Sequence, residues 1–387
     1  MLTADNEIFS LSKRVNDVIN KAIANNKIVG TVTLINKDGK LIYKNAAGYA
    51  DREEKIKMHE DSIFRMASVT KPIVSAAALI LISKGIIEID DPVTKWIPEF
   101  QPSLINGVKP KITIKHLLTH TAGLTYGFLE PEGGGAYKRA GVSDGMDLSG
   151  ISLEENLKRL STAPLLYEPG TNWGYSIAVD VLGAVISRAY GKPLPDLIKD
   201  QITDPLKMIN TSFEVKDQQR LVTQYVNDSP IPRRMGDKEI VPVFEGTAGI
   251  IFEPDRVFDN TAFPSGGSGM NGTAADFMSF LEALRVGTRL LSNDLKKEMT
   301  KIQTGDLLLA SWPGRGFGLG FTILKDPREA KTKESIGTWR LGGAYGHSWF
   351  VDPKEKLTVV SFTNTAFEGM SGQFTVDLCD AVYGELK

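Results

Sequence analysis

The 387-residue chain has one cysteine, Cys379, and four histidines. A single cysteine excludes an intrachain disulfide framework. Its setting, Val376-Asp377-Leu378-Cys379-Asp380-Ala381-Val382, reads as the inner face of a terminal helix, where a thiol packs as a small apolar group. Long apolar runs are also missing: the longest, Ala76 to Ile82, falls far short of a bilayer span. Met1 to Glu7 carry neither the basic nor the apolar region of a secretory leader. These features predict a cytoplasmic protein with no membrane partner. Neither sign of charge dominates, with 45 basic against 47 acidic residues and a net charge of −2. That balance gives no footing for a nucleic-acid partner or an anionic surface. His116 and His120 have a zinc-like spacing, but no glutamate follows His116 and no third ligand is evident. Both read as structural, and no metal or other cofactor is expected. No phosphate loop or dinucleotide fingerprint is present, and Gly266-Gly267-Ser268-Gly269 is not the Gly-x-Ser-x-Gly elbow of α/β-hydrolases.

What is there is the profile of a globular enzyme: 42% hydrophobic and 24% charged residues, in a chain long enough for an ample core. Residues 7 to 26 place apolar side chains at the helical period. Gly30 to Ile35 and Leu41 to Ala47 read as strands around the turn Lys37-Asp38-Gly39-Lys40. A helix follows Ser68, and Thr113 can cap a short one through Leu118. The glycine clusters between residues 127 and 150 predict a mobile loop with few anchors, a candidate lid. Residues 153 to 206 return to helical patterning, 210 to 265 are mixed, and Ala274 to Leu284 reads as a helix. Strands are predicted at Phe317 to Leu324, Thr338 to Leu341, Ser348 to Val351 and Leu357 to Phe362, with a final helix from Gly372 to Leu386. The economical fold is α+β: one antiparallel sheet built from both chain ends and flanked by helices, with a mostly helical second lobe. The sheet lobe would take residues 1–65 and 266–387, and the helical lobe 66–265.

Chemistry centres on Ser68-Val69-Thr70-Lys71. Three residues apart at a helix start, a hydroxyl and an amine share one face beside free N–H groups. A serine needs a base to act as a nucleophile, and a buried amine can supply one. Spacing alone is weak evidence, because Ser10-Leu11-Ser12-Lys13 matches it too. Context separates the two: Ser10 starts a mixed polar face, whereas Ser68 opens a helix apolar on nearly every side.

Three further stretches share the order expected around such a serine. They are His116 to Leu124, then Glu168-Pro169-Gly170-Thr171-Asn172-Trp173-Gly174-Tyr175-Ser176, and finally Leu341-Gly342-Gly343-Ala344-Tyr345-Gly346-His347-Ser348-Trp349. Together with Ser68 and Lys71 they resemble the serine β-lactamase and penicillin-binding-protein superfamily. The closest resemblance within it is to class C β-lactamase-like hydrolases, the family VIII carboxylesterases, and the chain is also similar to fungal statin side-chain acyltransferases. The resemblance implies an acylated nucleophile at Ser68, a proton-transfer partner at Lys71 and a proton-shuttling tyrosine at Tyr175. It implies an oxyanion hole from the N–H groups of Ser68 and Ala344.

Two departures from the family pattern bear on specificity. Leu341-Gly342-Gly343 stands where the relatives carry Lys-Thr-Gly, and Ile177 stands where β-lactamases carry asparagine. Both changes remove polar groups, which favours a neutral ester over an anionic β-lactam. The expected activity is therefore hydrolysis of small to medium carboxylic esters through an acyl-Ser68 intermediate, with little or no β-lactamase activity. An acyltransferase, a D-amino-acid peptidase or amidase, and a non-catalytic acyl sensor are the alternatives. The expected partner is a small-molecule ester, and the oligomeric state is left open. Candidate substrate-lining residues are Tyr126, Ile177, Leu341, Gly342, Gly343, His347 and Trp349.

Overall fold

The computed structural model describes residues 4–287 and 290–384. Helix α1 (Ala4–Ala24) leads into strands β1 (Gly30–Lys37) and β2 (Lys40–Asp51). The turn between these strands places Asp38 and Gly39 at positive φ, the backbone a tight hairpin requires. Short strands β3 (Ile56–Lys57) and β4 (Phe64–Arg65) precede a 3₁₀ turn (Ala67–Val69) and helix α2 (Thr70–Ser83). Helices α3 (Ile114–Thr119), α4 (Ala136–Ala140), α5 (Leu153–Thr162), α6 (Ala178–Tyr190) and α7 (Leu194–Ile198) make up the middle of the chain. Two small ladders follow, β5 (Tyr225–Val226) with β6 (Arg233–Arg234), and β7 (Glu239–Val241) with β8 (Ile250–Phe252). Strand β9 (Asn271–Gly272) pairs with β4 and leads into α8 (Ala274–Val286) and α9 (Asn293–Met299). The last part holds β10 (Arg315–Phe317), β11 (Thr322–Leu324), β12 (Trp339–Arg340), β13 (His347–Asp352), β14 (Leu357–Thr363), α10 (Glu368–Ser371) and α11 (Gln373–Tyr383).

The expected single sheet forms from both chain ends. Its antiparallel order is β10-β11-β12-β13-β14-β1-β2-β3, so β14 sits beside β1 with Thr31 opposite Thr363. Side chains alternate between the two faces. Val32, Leu34, Trp349, Val351, Val360 and Phe362 enter the larger core against α2 and α8, while Ile35, Phe350 and Val359 meet α1 and α11 on the other side. Cys379 is buried in that second layer, as a packing residue should be, and burial pushes its thiol up to about 12.

Three sequence expectations need correction. The 127–150 segment is anchored rather than loose. Glu130 accepts the N–H groups of Gly135, Tyr137 and Lys138, and Asp144 accepts those of Gly127 and Phe128. Tyr137 and Met146 are buried, so a glycine-rich composition here marks tight turns around carboxylate anchors. The predicted strand from Phe317 to Leu324 is two strands, because Gly318 N–H bonds Phe321 C=O and turns the chain back at Gly320, φ 111°. The final helix starts at Gln373 and ends at Tyr383, and Leu386 lies outside the described residues. Among the described residues, no helix is long and apolar enough to cross a membrane.

Candidate active site

The turn that presents Ser68 is held from both sides. Met66 N–H bonds Met270 C=O in the β9 region, and Val69 N–H closes on Met66 C=O. Ala67 between them has φ 46°, a left-handed conformation that a non-glycine residue adopts only when its surroundings force it. The apolar helix behind is buried from Thr70 to Leu81, and Lys71 within it is 1% exposed. Its ammonium donates to Ser68 Oγ at 3.1 Å and to Gly267 C=O at 2.9 Å. It also lies 4.8 Å from the Tyr175 ring centroid and 5.2 Å from that of Tyr126, a favourable place for a cation. Tyr175 O–H donates to Ser68 Oγ at 2.6 Å. Ser68, Lys71 and Tyr175 are thus one hydrogen-bonded cluster, and Ser68 and Tyr175 stay partly exposed at its mouth.

The other Ser-x-x-Lys match has no such setting. Ser10 Oγ accepts from Arg14, and Lys13 pairs with Asp17 on the exposed side of α1.

The turn after β12 runs against the Ser68 turn. A Cβ on Gly343 would come within 2.6 Å of Met66 O and 3.0 Å of Val69 Cγ2, so only glycine permits this approach. Ala344 C=O accepts from Phe367 N–H, and its own N–H has no protein acceptor among the described residues. Ser68 N–H lies in a first helical turn, where N–H groups have no intrahelical acceptor. A Cβ on Gly342 would meet Met370 Cγ at 2.4 Å, which places this glycine against α10.

Several candidate lining residues sit elsewhere. Trp349 is 1% exposed, packed between Phe277 and Phe321, and belongs to the core. His347 is fully buried between Phe64 and Phe362, with Nε2 on Arg65 C=O at 2.7 Å. A carbonyl can only accept, so Nε2 carries the proton, and the ring cannot edge the cleft. Ile177 is 1% and Leu341 3% exposed, both in the main core. Tyr126 is drawn inward: its ring stacks on Phe128 and tilts against Tyr175, with centroids 4.4 and 5.4 Å away.

Sequence reasoning missed three contributors. The first is His120, whose carbonyl accepts Gly174 N–H and whose Nδ1 accepts Ser176 N–H, gripping Tyr175 on both sides along the chain. Its ring lies 5.0 Å from that of Tyr175. Burial, reinforced by the Lys71 charge, holds its pKa well below the usual range, so Nδ1 stays an acceptor. His116 instead supports the start of α3, where its Nδ1 accepts Thr113 N–H, so the two rings serve different elements. The second is Trp312, half-buried, whose ring meets Tyr175 at 5.4 Å and Trp173 at 5.2 Å and walls the cleft with aromatic surface. The third is Gly267, the acceptor for Lys71. A Cβ there would strike Asp180 Oδ2 at 2.4 Å and Tyr126 OH at 3.0 Å. The glycine run that failed as a hydrolase elbow was the available signal.

Residues 15–378 match the beta-lactamase family. The chain belongs to it. Among beta-lactamase-family relatives, Esterase EstB of Burkholderia gladioli is 46% identical over 375 residues, covering 97% of this chain and 95% of its own. Acyltransferase calJ of Penicillium decumbens is 30% identical, covering 85% and 79%. The solved structure of EstCE1, described as a hydrolase with promiscuous acyltransferase activity, superposes with a TM-score of 0.94 at 43% identity, covering 98% of this chain and all of that one.

Proposed function

We propose that this beta-lactamase-family protein is a cofactor-free serine esterase that hydrolyses small to medium carboxylic esters. The observation that carries the reading is Ser68 Oγ held between Lys71 Nζ and Tyr175 OH, at 3.1 and 2.6 Å. Similarity to an esterase over nearly the full length of both chains supports the ester as substrate.

In this reading Lys71 or Tyr175 first gives up a proton to solvent, and Ser68 Oγ then attacks the ester carbonyl as its own proton passes to that group. The N–H groups of Ser68 and Ala344 receive the developing oxyanion, a contribution of a few kcal/mol each. The acyl C–O bond breaks as the same proton reaches the leaving alkoxide. Water then attacks the acyl carbon as it gives a proton to the pair, and that proton passes to Ser68 Oγ as its bond to the acyl group breaks and the acid leaves. The cleft would lie between the sheet lobe (1–65 and 266–387), which supplies Ala344 and Gly267, and the helical lobe (66–265), which supplies Ser68, Lys71 and Tyr175. With Leu341 and Ile177 in place of polar residues, β-lactams should turn over poorly. The single cysteine, buried and unpaired, fits a reducing cytoplasmic setting.

A second reading is transfer of the acyl group to an alcohol instead of water. Similarity to calJ and to EstCE1 favours it. Hydrolysis of p-nitrophenyl butyrate by wild type and Ser68→Ala tests the main reading. Sustained turnover by wild type and none by the variant is expected, and equal rates would end the proposal. A stoichiometric burst that resumes only when an alcohol is added would assign the transferase.

A further inference from the structure

A cavity of about 310 Å³ is lined by Arg65, Arg256 and Tyr345 among its polar groups and by Met146, Phe213 and Phe263 among its apolar walls. The two arginines are hydrogen-bonded by backbone carbonyls, and Arg256 also lies over the Phe263 ring at 5.0 Å. Arg65 donates to Pro254 and Val222 carbonyls, and Arg256 to those of Asp147 and Phe263. Arg65 is 8% exposed and Tyr345 5%. Among the described residues neither guanidinium has an ion-pair partner, Arg65 Nη2 and Arg256 Nη1 have no acceptor, and the Tyr345 hydroxyl has no hydrogen-bond partner. The carboxylates of Asp147, Asp180 and Asp259, the last of them in the cavity lining, act on Arg256 only through space, as does that of Asp255 on Arg65. Rim residue Glu214 is exposed to solvent.

Arg65 is buried and Arg256 half-buried, and the two guanidiniums line one cavity with donors that no side chain satisfies and the Tyr345 phenol in the same lining. That is the donor set of a carboxylate site, where charge-assisted bonds are strongest. The apolar residues in the same lining suit a hydrocarbon chain carrying the carboxylate.

The cavity draws its walls from the same chain segments as the candidate active site. Ser268, in the lining, follows Gly267, whose carbonyl holds Lys71; Tyr345 follows Ala344; and Arg65 lies three residues before Ser68. We propose that this cavity binds an organic carboxylate, carried on the acyl or alcohol portion of an ester substrate. The substrate part rests on the esterase reading; the binding part stands apart from it.

Calorimetric titration of Ser68→Ala protein with glutarate tests binding without catalysis. Saturable binding is expected, weakened roughly ten- to a hundredfold when Arg256→Gln is added, and less by Tyr345→Phe. Arg65→Gln is a harsher change so near the Ser68 turn, and the other two variants answer without it. In the second arm, kcat/KM for mono-p-nitrophenyl glutarate is compared with that for p-nitrophenyl butyrate. A fall of this ratio in Arg256→Gln supports a substrate-borne carboxylate. Glutarate binding with an unchanged ratio supports the site and overturns the substrate-borne occupant. No glutarate binding at millimolar concentration, with no effect of Arg256 on the ratio, overturns the proposal, as does inorganic phosphate binding as tightly as glutarate. Glutarate bound by Ser68→Ala, but no turnover of either ester by wild type, would sink the esterase and leave the cavity standing.

Discussion

At Ser68 Oγ two donors converge, one from the next helical turn and one from a loop more than a hundred residues away. Removing the distant one should cost most in the chemical step. Tyr175→Phe is expected to lose at least ~100-fold in kcat, the ordinary weight of positioned acid–base help. Near-wild-type kinetics would mean that another group moves the proton. His120 touches no reacting atom and is a positioning residue. His120→Asn keeps a side chain tolerant of the left-handed φ of 56° but removes the ring beneath Tyr175. We expect kcat to drop about tenfold with KM little changed, since the loss lies in the geometry of Tyr175 and not in substrate contacts. A parallel rise in KM alone would assign the ring to the substrate wall instead.

At the scale of elements, α2 and the 127–150 segment show what the chain conveys to a reader and what it hides. The helix after Ser68 was legible because its apolar residues leave no solvent face, and the hairpin because Asp38-Gly39 supplies the required backbone. The 127–150 segment was misread because its order comes from Glu130 and Asp144 reaching backbone N–H groups, and a carboxylate's partner is not written in local sequence. Glu130→Ala should expose this segment to limited proteolysis between residues 131 and 145, which wild type resists. Equal resistance would show the anchors to be redundant. Similar reasoning covers His347, read as a possible pocket edge because its sequence lies beside the third motif. Burial pulls its pKa down to about 4. The unfolded chain takes up this proton below about pH 6.5, the folded chain only near 4. Between those values the unfolded state binds more protons, so native stability falls as pH falls, by up to about 3 kcal/mol. The melting temperature of wild type should therefore drop more steeply between pH 6.5 and 4 than that of His347→Gln. Identical slopes would mean that the ring is solvated.

Across the whole molecule, the sheet carries two cores on opposite faces, and the Ser68 helix belongs to only one of them. Ile19 in α1 is fully buried in the other. Ile19→Ala should lower unfolding free energy by about 2–5 kcal/mol while the folded fraction keeps its kcat. Loss of kcat at temperatures where the variant is folded would couple the two layers more tightly than the packing indicates. The joining of both chain ends in one sheet was legible from the strand patterns flanking a helical middle. The arginine cavity was not, because Arg65, Arg256 and Tyr345 come from three distant stretches and meet only in the fold.

The central claim is that Ser68 becomes acylated. Rapid-quench intact-mass and peptide analysis after mixing with p-nitrophenyl butyrate tests it directly. A butyryl group on the peptide bearing Ser68 in wild type, absent from Ser68→Ala and persisting longer in Tyr175→Phe, is the predicted result. Turnover by wild type with no adduct on that peptide, or an adduct on another residue that survives Ser68→Ala, would contradict the account.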